Sequence, residues 1–331
     1  MKKELLPSSL TYYKANLHTH TTISDGEHTP EQIKEAYMAK GYQVIAFTDH
    51  DICLAHPELQ DENFVALTAY ELNIQEQRPV GFSKCYHLNL YAKDPGNTWQ
   101  TFHPRYLMKN ALPYQDRVVC DGYEERVYDI DFVNQKIAEA NEKGFLVCYN
   151  HPVWSLQDWR DYSGLKGLWG TEVFNTGGEV CGYKDHSDLP YQDLLGLGNH
   201  LVPVAADDNH NDIDRFGGWV RIGAEALTYA NIIQGMENGM MYASTGPEIF
   251  SLTLEDQLLT VTCSECTRIQ LNSNCRFVGL QEGEHLQQAV FDLSPWFRCP
   301  EGYEDQMYFR LTLTDSHGNR AYTRAYWRSE L

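Results

Sequence analysis

The chain has 331 residues, 42% hydrophobic and 22% charged, with a formal net charge of −20 at pH 7. That length supports one large domain and a smaller one with ample core. The acidic balance excludes wrapping of nucleic acid and adhesion to anionic membranes, both of which need basic patches. A phosphorylated substrate is not excluded, because bound cations invert the local field.

Met1 to Leu10 lacks the apolar run of a signal peptide, and no stretch approaches the roughly 20 apolar residues of a membrane span. Nine cysteines without even spacing fit reduced thiols, so a cytoplasmic protein is expected. Cys263 and Cys266 make a CxxC with no second pair, which reads as ordinary strand residues.

In chain order, the apolar lead-in Tyr12, Tyr13, Ala15 and Leu17 reads as a strand ending at His18, with His20 and Asp25 in the loop beyond. Imidazoles one residue apart share a face of an extended backbone, a metal-ligand geometry that an ordinary edge pair also satisfies. Thr29-Pro30 starts a helix and Gly41 closes it. Gln43 to Phe47 is an apolar run of a strand buried on both faces, ending in Thr48-Asp49-His50-Asp51. Phe64 to Thr68 is another, ending at Glu71, and Tyr86 to Tyr91 is a third, carrying His87.

Residues 93–128 break the rhythm with prolines, glycines, aromatics and arginines, either a lid over a site or a solvated excursion. A helix from Asp131 to Lys143 precedes Phe145 to Tyr149, which delivers Asn150-His151-Pro152. Gly170 to Phe174 carries Glu172 with Asn175 at its end, and Leu201 to Ala206 runs into Asp207-Asp208-Asn209-His210. Tyr229 to Asn238 is the last helix of this part. Nearly every strand-like run thus finishes in a metal-ligating residue, as expected where strand ends converge on one face of a β/α barrel.

The order His18-x-His20, Asp25, Thr48-Asp49-His50, Glu71, His87, Asn150-His151-Pro152 and Asp208-x-His210 resembles the PHP (polymerase and histidinol phosphatase) superfamily. The resemblance implies an α/β fold, a distorted (β/α)7 TIM-like barrel with two to three divalent ions in its mouth. By that resemblance His18, His20, Glu71 and Asp208 hold one ion. Glu71, His87 and His151 hold a second, and Asp25, His50 and His210 a third. Aspartate at position 25 is a common variant in that family. Gly217-Gly218-Trp219 and Gly239 to Pro247 resemble its carbamate-hydrolase-like (CehA/McbA) branch, whose members add a small β-domain.

Residues 247–331 fit such a domain on their own pattern, with short alternating runs, turn residues and no helical stripe, an Ig-like β-sandwich after a 1–246 barrel. It can cover the barrel, wall the pocket or join chains into a homo-oligomer. The donor set suits Zn, Mn or Fe better than Mg or Ca.

The expected function is a metal-dependent phosphoesterase acting on a small phosphorylated substrate through a metal-bridging hydroxide, with Glu71 and Asp208 positioning the nucleophilic water. A carbamate, ester or amide hydrolase and a binding protein with structural metals are the alternatives. Arg215 is a candidate phosphate clamp, and Glu172 and Asn175 are candidate pocket residues. Asp49, Asp51 and Asp207 either orient ligand imidazoles or cap loops. His56, His103, His186 and His200 have no motif context.

Overall fold

The computed structural model describes residues 2–79, 81–183, 188–298 and 302–331, so His186 lies outside the described residues. Among the described residues sixteen strands follow in chain order. The first eight are β1 (Lys2–Leu6), β2 (Thr11–Asn16), β3 (Val44–Phe47), β4 (Val65–Gln75), β5 (Cys85–Ala92), β6 (Phe145–Tyr149), β7 (Gly170–Asn175) and β8 (Val202–Ala206). The second eight are β9 (Trp219–Ala224), β10 (Met241–Ser244), β11 (Ile249–Glu255), β12 (Leu258–Ser273), β13 (Gly279–Asp292), β14 (Tyr308–Thr314), β15 (Arg320–Thr323) and β16 (Tyr326–Trp327). Among the described residues no helix is long and apolar enough to cross a membrane.

The fold is mixed α/β and rich in sheet. One hydrogen-bonded path runs β1-β11-β12-β14-β15-β10-β9-β2-β3-β4-β5-β6-β7-β8. β2, β3 and β4 are parallel, as are β6, β7 and β8. β5 runs antiparallel to both β4 and β6. That reversal brings the start of β5 to the end of the sheet where its neighbours finish, and His87 sits there opposite Asn73. β4 continues past the expected stop to Gln75, so Glu71 is an interior strand residue.

The far end of the path returns to β2. Thr19 bridges Asn209 in parallel, the Asp208 amide donates to His18 O at 3.0 Å, and the Asp207 amide donates to Asn16 Oδ1 at 3.0 Å. The Asn16 amide also donates to Thr19 Oγ1 at 2.7 Å, so one buried side chain ties the two strand ends.

The helix Pro30–Met38 starts as its sequence dictates, with a Thr29–Gln32 capping box and Pro30 in the first turn. Its Ile33 and Tyr37 are buried with Ile45, Phe47, Val261, Ile269 and Phe309 in one cluster. The C-terminal strands therefore share a core with the first helix and β3. Strand β1 pairs antiparallel with β11, and β15 pairs with β10, so both ends of the chain join that sheet.

Candidate metal centre

The strand ends carry their polar residues to one place. His18 Nε2 lies 3.2 Å from Glu71 Oε1 and 3.2 Å from Asp208 Oδ1. His20 Nε2 lies 3.0 Å from Asp208 Oδ1 and 3.3 Å from Glu71 Oε2. His50 Nδ1 is 3.1 Å from Glu71 Oε2, while His87 Nδ1 and His151 Nε2 are 3.0 and 3.2 Å from Glu71 Oε1. Asp25 stands 3.6 Å from His20 Nδ1, 3.7 Å from His50 Nε2 and 3.6 Å from His210 Nε2. All nine sequence candidates are thus in one neighbourhood centred on Glu71.

Among the described residues, ligand atoms lie mutually within 4.8 Å, as a single ion would need, in His18, His20, Glu71 and Asp208; in His20, Asp25, His50 and His210; and in His50, Glu71 and His87. The first equals the set implied by resemblance. The other two share His50, and His151 stands between Glu71 and Asp208, 3.7 Å from Asp208 Oδ2. His18, His151 and Glu172 also bring their ligand atoms together, with Glu172 hydrogen-bonded to the His18 ring.

The donors fit cations better than they fit one another. His18 and His20 bring their Nε2 atoms within 3.2 Å of one another, both turned towards the Glu71 and Asp208 carboxylates. Glu71 Oε2, Asp208 Oδ1 and His50 Nδ1 are buried without a hydrogen-bond partner, although charged groups stand close by. Such buried atoms are costly unless something else satisfies them.

The outer ring nitrogens are occupied in the way a ligating imidazole requires. His18 Nδ1 donates to Glu172 Oε1 at 2.7 Å, His210 Nδ1 to the Asp208 carbonyl at 2.9 Å, and His151 Nδ1 is 3.1 Å from Ser155 Oγ. Each contact leaves Nε2 facing the cluster. Asn150 donates to Glu71 Oε1 at 2.8 Å and fixes the carboxylate in its plane. His18, His20 and Glu71 are fully buried, whereas the Asp25 and His210 side chains are 38% and 33% exposed. The cluster is therefore open to solvent on the Asp25–His210 side.

Electrostatics follow the same geometry. Burial alone would depress the imidazoles, but Asp208 and Glu71 outweigh it and lift His20 to about 10. Burial is likewise overcome at His18 and His151 by neighbouring carboxylates, and at His87 by Cys85 first and then by Glu71. His50 is the exception, since burial wins there and lowers it to about 3. Burial would raise Glu71 and Asp208, yet the surrounding imidazoles hold both carboxyls below their usual range. Without metal, protons on the imidazoles do the balancing.

The His20 contribution is fully present below pH 6.5 and is lost as pH rises towards about 10. His50 and the two carboxylates act in the acid direction, where stability falls below pH 6.5 and below the carboxylate range. Metal-stripped protein should therefore lose melting temperature from pH 6.5 upwards, and divalent metal should reverse that slope because binding displaces those protons. A flat profile in calorimetry of the stripped protein would contradict this picture.

The remaining candidates are placed differently from their expected roles. Glu172 is buried and fully engaged by His18, the His151 amide at 3.0 Å and Asn175 Nδ2 at 2.9 Å. These contacts hold the His18 ring and the His151 backbone in place. Asn175 caps the following helical turn through Gly178 and also reaches Asp208 Oδ2 at 3.3 Å. Arg215 pairs with Asp212 beside His28 and lies over Phe216, with its Nε buried and unpartnered.

Asp49 holds the Thr21 and Ser24 amides and hydroxyls, and Asp207 holds the Phe216, Gly217 and Gly218 amides, so both serve loops. Gly218 also packs against Ala206, where a Cβ would come within 2.6 Å of backbone. The Gly217-Gly218 pair thus has a structural reason of its own. His56 is buried beside Phe47 and paired with Glu58, and His200 stacks on Trp327. His103 accepts from the Arg105 amide.

The irregular stretch 93–128 lies over the site's edge, with Leu107 and Ala111 packed on Ile23, Ile52 and Leu54. It delivers Arg126, whose guanidinium meets Asp51 Oδ1 at 2.7 Å between the rings of Phe102 and Tyr106. The sequence places Arg126 in this stretch but shows neither its pairing with Asp51 nor the partnership of Glu172 with His18. A lone buried acid in the apolar strand Gly170–Asn175 was the available signal for the latter.

The family described as PHP domain matches residues 16–168. No curated protein matches the chain. Among solved structures, the chain is similar to a two-domain Bacteroides vulgatus protein described as containing a PHP-like metal-dependent phosphoesterase, at 14% identity over 98% of each chain and a TM-score of 0.47. A Bifidobacterium adolescentis protein described as a metal-dependent phosphoesterase aligns at 15% identity, over 67% of this chain and 94% of its own, with a TM-score of 0.39. The lesion-specific endonuclease of Pyrococcus furiosus aligns at 12% identity over 69% of this chain and 56% of its own, with a TM-score of 0.37.

Proposed function

We propose, from the premise that residues 16–168 are a PHP domain, that this chain is a metal-dependent hydrolase and, within that class, a phosphoesterase of small phosphorylated molecules. The observation that carries the proposal is the Glu71 carboxylate, faced by five imidazoles within 3.3 Å. His18, His20, Glu71 and Asp208 would hold one divalent ion, with His50, His87, His151, Asp25 and His210 available to one or two more. Bound ions would supply Lewis acidity, activating water near neutral pH and neutralising charge on a phosphoryl group.

The chain's own residues set the geometry for that chemistry. Glu172 fixes the tautomer of His18, Asn150 fixes the plane of Glu71, and the half-exposed Asp25 and His210 leave one side open for the phosphoryl oxygens. Charge stabilisation of this kind is what phosphoester hydrolysis most lacks in water.

The same reading takes β2 to β8 as the seven staves of a distorted barrel with the cluster in its mouth, supported by the Thr19–Asn209 bridge between its two ends. It divides the chain into a catalytic part, residues 1–246, and an accessory β part, residues 247–331, to which β1 adds a strand.

Zinc-, manganese- or iron-loaded protein should release phosphate from members of a panel of phosphomonoesters and diesters. Release of phenol from aryl esters or carbamates, with no phosphate from any phosphoester, overturns the phosphoesterase assignment. Inactivity on every bond class with tightly held metal overturns the hydrolase.

A further inference from the structure

The loop after His151 presents apolar surface beside the cluster. Val153, Trp154, Leu156 and Trp159 are 37%, 38%, 42% and 46% exposed. Single exposed apolar side chains need no explanation, but four within seven residues form a patch. The Trp154 indole centroid is 5.1 Å from that of His151, edge to face, and 5.7 Å from that of His87. Both imidazoles face Glu71.

The turn that carries Trp154 is firmly built. His151 and Leu156 hold positive φ of 23° and 57°, strained values for residues with side chains. The Ser155, Leu156 and Gln157 amides bond back to His151, Val153 and Pro152 at 3.1, 3.1 and 3.0 Å. Gln157 is held from below by the Tyr149 hydroxyl at 2.6 Å and itself donates to Tyr128 at 3.1 Å. The indole is therefore displayed by a rigid turn at a fixed place beside the reaction centre.

We infer that Trp154 is the platform on which the organic part of the substrate lies, and that this part is a planar aromatic ring carried by the phosphorylated alcohol. The inference rests on the phosphoesterase reading above. A phosphoryl group held at the cluster and attached to a short alcohol leaves its organic end within reach of the indole. A flat ring gains face-to-face stacking there that a saturated ring of similar size does not.

The test compares benzyl phosphate with cyclohexylmethyl phosphate, which share a primary alkoxide leaving group and differ in planarity. Metal-loaded wild type should favour the benzyl ester in kcat/KM. Trp154→Ala should lower that preference by about 10- to 100-fold, the range expected of stacking on an aromatic side chain, and Trp154→Phe should restore most of it. A readout independent of turnover is the affinity for phenylphosphonate relative to ethylphosphonate, whose C–P bonds resist hydrolysis. That affinity ratio should fall with Trp154→Ala by a similar factor.

Phosphate release without any benzyl preference, or a preference unchanged in both Trp154 variants, overturns the role of Trp154 and leaves the phosphoesterase reading standing. No phosphate release and no phosphonate binding overturn both.

Discussion

Glu71→Gln is expected to cut turnover by about 1000-fold or more, with bound metal falling in parallel by elemental analysis. Glutamine keeps the shape of the side chain and its contact with Asn150, so the strand has no reason to move. It removes the single negative charge towards which His18, His20, His50, His87 and His151 all turn. One neutral oxygen cannot serve both the His18–Asp208 side and the His50–His87 side of the cluster.

Glu172→Gln gives the graded comparison. It leaves every inward-facing donor in place and loosens only the hold on His18 Nδ1, so metal affinity should fall by about 10- to 100-fold. Equal metal content and equal turnover in wild type and Glu71→Gln would dismantle the proposed centre.

The largest expected effect on stability belongs to Asp207→Ala. This fully buried carboxylate accepts from the Phe216 amide at 2.8 Å, the Gly217 and Gly218 amides at 3.0 Å, and the Thr176 and Tyr37 hydroxyls at 2.7 Å. Burial raises its pKa, and those donors work against that rise. Alanine leaves three amides without an acceptor in a dry interior, while the Thr176 and Tyr37 hydroxyls keep only the Ala206 carbonyl and Asn209 Oδ1. The loss should be about 3–5 kcal/mol, each stranded buried donor costing on the order of 1 kcal/mol or more. Asparagine does not rescue it, because its NH2 group would face a donor in either orientation. Equilibrium unfolding in urea measures the loss, and a change below about 1 kcal/mol would mean that the loop finds other acceptors.

The candidate donors were legible in the sequence because their signals are local. His18-x-His20, Thr48-Asp49-His50, Asn150-His151 and Asp208-x-His210 each follow an apolar run, and a strand must deliver whatever polar residue ends it to the edge of the sheet. The helix starting at Pro30 was equally plain, since a capping box and an N-terminal proline act within one turn.

What escaped local reading were the partners. An alternating apolar strand has the same pattern in both directions, so nothing in Cys85–Ala92 announced that β5 runs antiparallel, although that reversal brings His87 to the cluster. Asp49 and Asp207 sit beside metal-ligand candidates in sequence yet hold loops, and Glu172, far from His18 in the chain, is what orients that imidazole.

The sequence alone therefore determined which side chains end which strands, and hence the kind of donor set this protein owns. Only the tertiary structure decided which donors face one another, which stand behind as supports, and that β1 closes against β11 across the length of the chain. The physical reason is one of range. Periodicity and capping act over a few residues, whereas a buried carboxylate takes whatever donors the packed sheet brings to it.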